Sequence, residues 1–134
     1  MTESSLEQCI QEYFSTSEDV LLVALYGSHA TGTATQQSDI DIALYLRNPM
    51  TTDRKMEIIS ELGPLCQAEL DVLDLHQASA LLFRQVFTKG KILINKSSVA
   101  YEKLLTRLVY DEADFLPLVR RTLKERADRF IDGH

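Results

Sequence analysis

Two continuous apolar runs lie on either side of a short polar stretch in the first half of the chain. The first is Val20–Tyr26 and the second is Ile40–Leu46, which a single aspartate interrupts. Short apolar runs bounded by polar, glycine or proline residues predict buried β-strands. Asn48-Pro49 ends the second strand, because proline has no backbone donor and restricts the residue before it. The small polar residues of Thr31–Gln37 predict a short helix or a loop between the two strands.

The rest of the sheet-forming region alternates between helical and strand patterns. Apolar residues at helical spacing and short apolar runs define five further elements. In chain order, these are a helix capped by Ser4-Ser5, a helix over Asp53–Leu62 that ends at Gly63-Pro64, a strand over Glu69–Leu75, a helix over Gln77–Thr88 that Gly90 closes, and a strand over Lys91–Ile94. This order predicts an α/β (α+β) fold, with a small mixed β-sheet and helices on one face.

A long amphipathic helical pattern follows the last predicted strand. Ser97 or Ser98 caps this helix, and Pro117 kinks or restarts it. Basic and acidic residues are interleaved near its end, which is typical of a solvated helix face. The chain therefore divides into a domain over residues 1–96 and a helical extension over residues 97–134 that packs on the same domain.

Composition and charge narrow the possible functions. With 134 residues, 45% of them hydrophobic and 25% charged, the chain is large enough for one domain with its own core. The net charge of −6 disfavours an extended nucleic-acid interface, which needs a basic surface. No apolar stretch approaches the ~20 residues that span a bilayer, and the acidic N-terminus is unlike a signal peptide. Cys9 and Cys66 predict two buried or partly buried thiols in a reducing cytoplasm rather than a disulfide framework.

Candidate chemistry is concentrated around the polar stretch between the first two strands. Gly27-Ser28 ends the first strand, where free backbone N–H groups are suited to hold a phosphate. Asp39 and Asp41 open the second strand and project from the same face, because side chains alternate along a strand. Two adjacent carboxylates repel unless a cation lies between them, and magnesium commonly accompanies phosphates. The pattern predicts a site where a nucleoside triphosphate and a metal meet.

A third carboxylate is expected on a neighbouring strand, because two metal ions commonly need three acidic side chains. Asp71 is the favoured candidate, since it interrupts an aliphatic strand where an unpaired charge would be costly. Glu69 and Asp74 are the alternatives. Glu69 shares the face of Asp71 but lies nearer the start of the strand, and Asp74 faces the opposite way.

The segment LYGSHATGTATQQSDIDIAL resembles the signature of the minimal nucleotidyltransferase (MNT) family, within the polymerase-β-like nucleotidyltransferase superfamily. In that signature a strand ends in Gly-Ser, a short helix follows, and Ser-Asp-x-Asp opens the next strand. The resemblance covers residues 20–95 and implies a polymerase-β-like fold, with Asp71 in the place of the family's third acid. The matching residues are Gly27, Ser28, Ala30, Gly32, Ser38, Asp39 and Asp41.

The resemblance implies a magnesium-dependent enzyme that transfers AMP from ATP to a hydroxyl. Two Mg²⁺ ions would be held by Asp39, Asp41 and Asp71, and the phosphates by Gly27 and Ser28. Stand-alone members of the family are typically antitoxins, whose partner is a HEPN-domain ribonuclease toxin and whose acceptor is often a tyrosine. Two other interpretations stay open: neutralisation of the partner by contact alone, and transfer to a small molecule such as an aminoglycoside. Neither extended nucleic acid nor a membrane is expected as a partner.

The chain departs from the family pattern just after Gly-Ser. Family members often carry arginines there, where this chain has His29 and Thr31. A protonated His29 is one candidate contact for phosphate, and Arg84 and Lys89 are candidates for compensating charge. The residues to which no role in the site is assigned are two strand tyrosines, expected in the core, and two further histidines: Tyr26, Tyr45, His76 and His134.

Overall fold

Helices and strands alternate along the part of the protein that the structure describes. The computed structural model describes residues 2–35 and 38–110 of the chain. In chain order, the elements are α1 (Glu3–Ser15), β1 (Val20–Tyr26), α2 (Ser28–Thr31), β2 (Ile40–Leu46), α3 (Thr52–Cys66), β3 (Leu70–Asp74), α4 (Ala80–Lys89), β4 (Lys91–Asn95) and a helix α5 that covers residues 98–110.

The four strands form one mixed sheet with the order β3-β2-β1-β4. β1 runs antiparallel to both of its neighbours, whereas β2 and β3 run parallel. A parallel pair needs a crossover connection, which α3 supplies. This mixed arrangement confirms the predicted fold class. The strands β1 and β2 have the predicted bounds, and β3 and β4 differ from prediction by single residues at their ends.

The main hydrophobic core lies between one face of the sheet and the helices α1 and α3. Because side chains alternate along β2, Ile40, Ile42 and Leu44 belong to this core while Asp41 points to the opposite face. The helical residues that complete the core are Leu6, Ile10, Phe14, Ile58, Leu62 and Cys66. The sheet therefore separates its main core from the face that carries the acidic residues.

The cap of α1 is Thr2 rather than Ser4-Ser5. The side-chain oxygen of Thr2 accepts a hydrogen bond from the Ser5 amide at 3.1 Å. Threonine satisfies a free helix amide nearly as well as serine, so a polar N-terminus offers several equivalent caps and packing selects among them. Ser97 caps α5 as predicted, because its hydroxyl accepts a hydrogen bond from the Ala100 amide at 3.1 Å.

The helix α3 continues through Gly63-Pro64, so the predicted end at these residues is wrong. Proline removes one helical hydrogen bond, but the residue whose carbonyl loses its donor, Ser60, is exposed. The helix ends at Cys66 because Gln67 adopts a left-handed conformation with φ 56°. The Gln67 amide donates back to the carbonyl oxygens of the glycine and the proline, which closes the last turn.

The helix α4 begins at Ala80, so the predicted start at Gln77 is wrong. The amide of Gln77 donates to the Asp74 carbonyl oxygen at 3.0 Å, which makes a turn after β3 instead. Ser79 then caps the helix, because its hydroxyl accepts a hydrogen bond from the Leu82 amide at 3.3 Å. Local hydrogen bonds of the turn therefore delay the helix by three positions.

Both cysteines are free thiols, as predicted, with Cys66 buried and Cys9 partly buried. Burial raises the pKa of the Cys66 thiol to about 12, and the adjacent Cys9 thiol adds to the effect. At neutral pH both burial and this neighbour keep Cys66 protonated, so it behaves as a packing residue.

The chain divides into two compact units after Tyr101. The sheet and the helices α1 to α4 belong to the first unit, and residues 102–110 of the second are helical. The predicted division at residue 96 and the predicted packing of residues 97–134 stay predictions, because most of that extension, Pro117 included, lies outside the described residues. No helix in the described part of the chain is long and apolar enough to span a membrane.

Replacing Gly90 by alanine is expected to destabilise the domain. An added Cβ would collide with the Val86 carbonyl oxygen and approach the Leu25 carbonyl oxygen to 3.0 Å, and backbone atoms cannot give way cheaply. We expect the free energy of unfolding to fall by roughly 1–3 kcal/mol, as for overpacked sites. Urea unfolding measures this change. The matched control is Gly63→Ala, where a Cβ would meet Ala68 oxygen at 3.4 Å, an ordinary contact. Equal stabilities of the two variants would contradict the prediction.

Candidate active site

A row of three side chains crosses β1, β2 and β3 on the sheet face away from the main core. Asp41 is the register partner of Asp71 in the parallel pair of β2 and β3, and of Tyr26 in the antiparallel pair of β1 and β2. This pairing places the carboxyl groups of Asp41 and Asp71 side by side on adjacent strands. Asp39 is exposed and lies two residues before Asp41, on the same side of the strand. The structure therefore brings Asp41 and Asp71 together, with Asp39 as a charged neighbour of Asp41.

The surroundings of Asp41 disfavour its charged form. Burial raises the pKa of this carboxyl, and the neighbouring Asp71 and Asp39 raise it further, while His29 acts in the opposite direction. Without a cation, the Asp41 carboxyl therefore holds its proton more tightly than an ordinary aspartate does.

This donor set suits a hard divalent cation. Asp41 and Asp71 offer carboxylate oxygens, the ligands that Mg²⁺ prefers, and a cation between them would relieve their repulsion. Within residues 2–35 and 38–110, no three acidic, histidine or cysteine side chains already form a ligand cluster. Asp39 is thus a charged neighbour of the pair rather than a preformed third ligand, and its ligation of metal stays a prediction.

Gly27 brings the turn after β1 against this acidic pair. Its backbone has φ 73° and ψ −151°, a conformation that side chains rarely allow, and an added Cβ would collide with the Asp41 carboxylate. Gly27 is also the N-cap of α2 and has no side chain to satisfy the first amides of that helix. The first amides of α2 therefore start next to the Asp41 carboxylate, and the binding of phosphate by Gly27 and Ser28 stays a prediction.

The two alternative candidates for the third acid are placed differently from Asp71. Asp74 accepts hydrogen bonds from the Met50 amide at 2.9 Å and the His76 amide at 3.0 Å, so its carboxylate fixes a turn. Glu69 is exposed and precedes β3, and its carbonyl oxygen accepts from the Ile40 amide. The β2–β3 register places Asp71 beside Asp41. This position favours Asp71 over Glu69 and Asp74 as the third acid.

His29 lies at the edge of the site, directly after Ser28. Its Nε2 is 3.5 Å from the Ser38 carbonyl oxygen, which is a weak contact. Its Nδ1 is buried and has no hydrogen-bond partner in the described part of the chain. The imidazole also lines a cavity of about 500 Å³ together with Ser38. Contact of His29 with phosphate stays a prediction, but its position beside the acidic pair is compatible with it.

Tyr26 is a member of the site that sequence reasoning placed only in the core. It is buried as predicted, but burial together with Asp71 and Asp41 raises the pKa of its hydroxyl to about 12. The phenol therefore stays neutral beside the acidic pair. The signal for this placement was its position next to Gly-Ser, which became informative only with the β1–β2 register.

His76, by contrast, donates to the Leu46 carbonyl oxygen at 2.6 Å and stacks on Tyr45, which is a structural role.

The family model for polymerase beta, nucleotidyltransferase, matches residues 8–99 of this chain. The chain belongs to the polymerase beta nucleotidyltransferase family. The matched region contains the whole sheet, the Gly-Ser turn and all three acids, which confirms the resemblance found in the sequence. The conformation of Gly27 and the pairing of Asp41 with Asp71 are thus features of a nucleotidyltransferase domain.

Two curated relatives of this nucleotidyltransferase chain carry the same name, protein adenylyltransferase MntA. The protein from Shewanella oneidensis is 36% identical over 72 residues, which make up 54% of this chain and 52% of the relative. The match therefore spans about half the length of that relative. The protein from Aphanizomenon flos-aquae is 24% identical over 120 residues, covering 82% of this chain and 79% of the relative.

Solved structures with the same fold come from toxin–antitoxin complexes. A toxin–antitoxin with AMP-PNP aligns with a TM-score of 0.73 and 24% identity, over 90% of this chain and 98% of the other. Tri-AMPylated Shewanella oneidensis HEPN toxin in complex with MNT antitoxin gives a TM-score of 0.69 and 20% identity, over 94% and 99% of the two chains. At these identities the likeness shows the shared fold.

Proposed function

We propose that this nucleotidyltransferase is a cytoplasmic antitoxin that transfers AMP from ATP, with Mg²⁺, to a tyrosine hydroxyl of a HEPN-domain toxin. The observation that carries the proposal is the register pair Asp41–Asp71, held against the Gly27 turn. Acidic oxygens and a phosphate-holding turn in direct contact are what nucleotidyl transfer needs. The acidic net charge of −6 suits a small nucleotide and a protein partner better than a nucleic acid.

Each residue of the site has a part in this proposal. Asp39, Asp41 and Asp71 hold two Mg²⁺ ions, which when bound would neutralise charge on the α-phosphate and on the leaving pyrophosphate. The amides at Gly27 and Ser28, with the serine hydroxyl, hold the β- and γ-phosphates. Asp71 is more exposed than Asp41, so it faces the solvent from which the acceptor arrives.

The transfer balances without any further reactant. The acceptor oxygen forms a bond to the α-phosphorus of ATP, the bond between the α- and β-phosphates breaks, and pyrophosphate leaves. The proton of the acceptor hydroxyl passes to the acidic groups of the site. The neutral hydroxyl of Tyr26 stays protonated beside them, because its pKa is raised to about 12, and it therefore does not compete as the base.

The comparisons support this assignment at the level of the partner and the reaction. The two curated relatives are named as protein adenylyltransferases, and one structural neighbour contains a tri-AMPylated HEPN toxin. Another neighbour is a toxin–antitoxin with AMP-PNP. By analogy with these proteins, we infer that the present chain uses a HEPN toxin as acceptor and an adenine nucleotide as donor.

Label transfer tests the proposal. The protein is incubated with Mg²⁺ and a HEPN toxin partner, once with ATP labelled on the α-phosphate and once with ATP labelled on the γ-phosphate. We expect the α-label alone to appear on the toxin, and to be absent with the Asp39→Asn, Asp41→Asn double variant. Transfer of the γ-label would indicate phosphorylation instead. No label from either nucleotide, with a stable complex, would indicate neutralisation by contact alone.

A further inference from the structure

We propose that Lys89 binds the terminal phosphates of the nucleoside triphosphate, an inference that rests on the nucleotide site proposed above. The turn after β1 carries no cationic side chain of fixed charge: Gly27-Ser28 is followed by histidine, alanine, threonine and glycine. A triphosphate in this turn would lie close to three aspartates of the same protein. A lysine or arginine from another element near the Gly27 end of β1 would supply, beside the metal ions, the fixed positive charge that this turn lacks.

The β1–β4 register places Lys89 at that end of the sheet. Leu25 is the register partner of Lys91, and the two strands run antiparallel. Gly90 directly precedes β4, and it lies so close to β1 that an added Cβ would be 3.0 Å from the Leu25 carbonyl oxygen. The residue before Gly90 is Lys89, the last residue of α4, so its backbone lies near the end of β1 that leads into Gly27.

Lys89 is available for a ligand, whereas its basic neighbour is not. Lys91 is paired with Glu7 of α1 at 2.6 Å. Lys89 is exposed, and among residues 2–35 and 38–110 it has no ion-pair partner. A lysine ammonium on a flexible four-carbon stem is a point charge well suited to phosphate.

The alternative role for Lys89 is structural, because it lies in the last turn of α4, where a cation interacts favourably with the helix dipole. The two roles predict different measurements. A dipole role changes stability without regard to ligand. A phosphate role changes the affinity for a triphosphate and leaves the affinity for the monophosphate nearly unchanged, because AMP lacks the β- and γ-phosphates.

Calorimetric titration of the full chain with MgATP and with AMP separates these possibilities. For Lys89→Gln we expect the dissociation constant of MgATP to rise roughly tenfold, the loss typical of one charge-assisted hydrogen bond, with AMP affinity unchanged. Lys89→Arg should retain most of the MgATP affinity. The matched control is Lys55→Gln, on the exposed side of α3, which should bind both nucleotides like the unaltered protein.

Three outcomes would overturn the inference. The first is unchanged MgATP affinity in Lys89→Gln, while the unaltered protein binds MgATP. The second is an equal loss of affinity for MgATP and AMP together with a lower melting temperature, which would assign Lys89 to the helix end alone. The third is no binding of MgATP to the unaltered protein, which would remove the nucleotide site and the role of Lys89 together.

Discussion

Replacing Asp41 by asparagine is expected to lower the rate of AMP transfer roughly a hundred- to a thousandfold, the usual effect of removing one preorganised electrostatic group. Asp41 is the centre of the acidic row, with Asp71 on one side and Tyr26 on the other. Asparagine keeps the shape of the side chain but brings no negative charge to hold a cation. Transfer of α-labelled AMP to the toxin, under single-turnover conditions, measures the change.

The same substitution is expected to preserve or raise the stability of the metal-free protein at neutral pH. The pKa of Asp41 is raised in the folded state by burial and by its acidic neighbours. The folded protein therefore holds this proton more tightly than the unfolded chain, and stability falls as pH rises from the ordinary aspartate range through the raised pKa. Because asparagine does not titrate, the variant does not lose stability in this way as the pH rises. Unfolding by urea across a pH series, without divalent metal, measures the difference between the two proteins.

Magnesium should reverse the order of stability. A cation between Asp41 and Asp71 binds the folded state of the unaltered protein and raises its melting temperature, whereas Asp41→Asn gains little. The matched control is Asp53→Asn, an exposed aspartate in the first turn of α3, the helix that packs on the opposite face of the sheet. Full transfer activity in Asp41→Asn, or equal magnesium stabilisation of both proteins, would contradict the assignment of Asp41 to metal.

Replacing Gly27 by alanine is expected to reduce both activity and stability. The φ of 73° with ψ −151° is strained for any residue with a side chain, at a cost of roughly 1–3 kcal/mol. In addition, the new Cβ would collide with the Asp41 carboxylate. A displacement of catalytic groups by about 1 Å costs on the order of a hundredfold in rate, so we expect a loss of this size. Urea unfolding and single-turnover transfer measure the two effects.

Gly32→Ala separates backbone strain from collision. Gly32 also has a positive φ, 75°, but among the described residues other than its chain neighbours none has an atom within 4 Å of its added Cβ. Its replacement should cost roughly 1–2 kcal/mol of stability through the left-handed backbone alone, with transfer close to normal. If the two variants lost activity equally, backbone strain in the turn would explain the result, and the contact of Gly27 with Asp41 would have no catalytic importance.

The sequence by itself determined the local elements at the heart of the site. β1 and β2 are continuous apolar runs with polar or glycine residues at both ends, and their bounds were predicted to the residue. Asp39, Asp41 and Gly27-Ser28 were recognisable because their spacing is short and follows from strand alternation and turn chemistry. Such signals are local, so neither packing nor pairing was needed to find them.

Tertiary structure decided everything that depends on pairing between distant segments. Asp71 was one of three candidate acids until the β2–β3 register put it opposite Asp41, and Tyr26 joined the site only through the β1–β2 register. The passage of α3 through Pro64 was likewise set by context, because one lost hydrogen bond at an exposed residue is cheap beside a buried helix face. The sequence shows which residues can carry charge or adopt a strained conformation, whereas the strand register determines which of them lie next to each other.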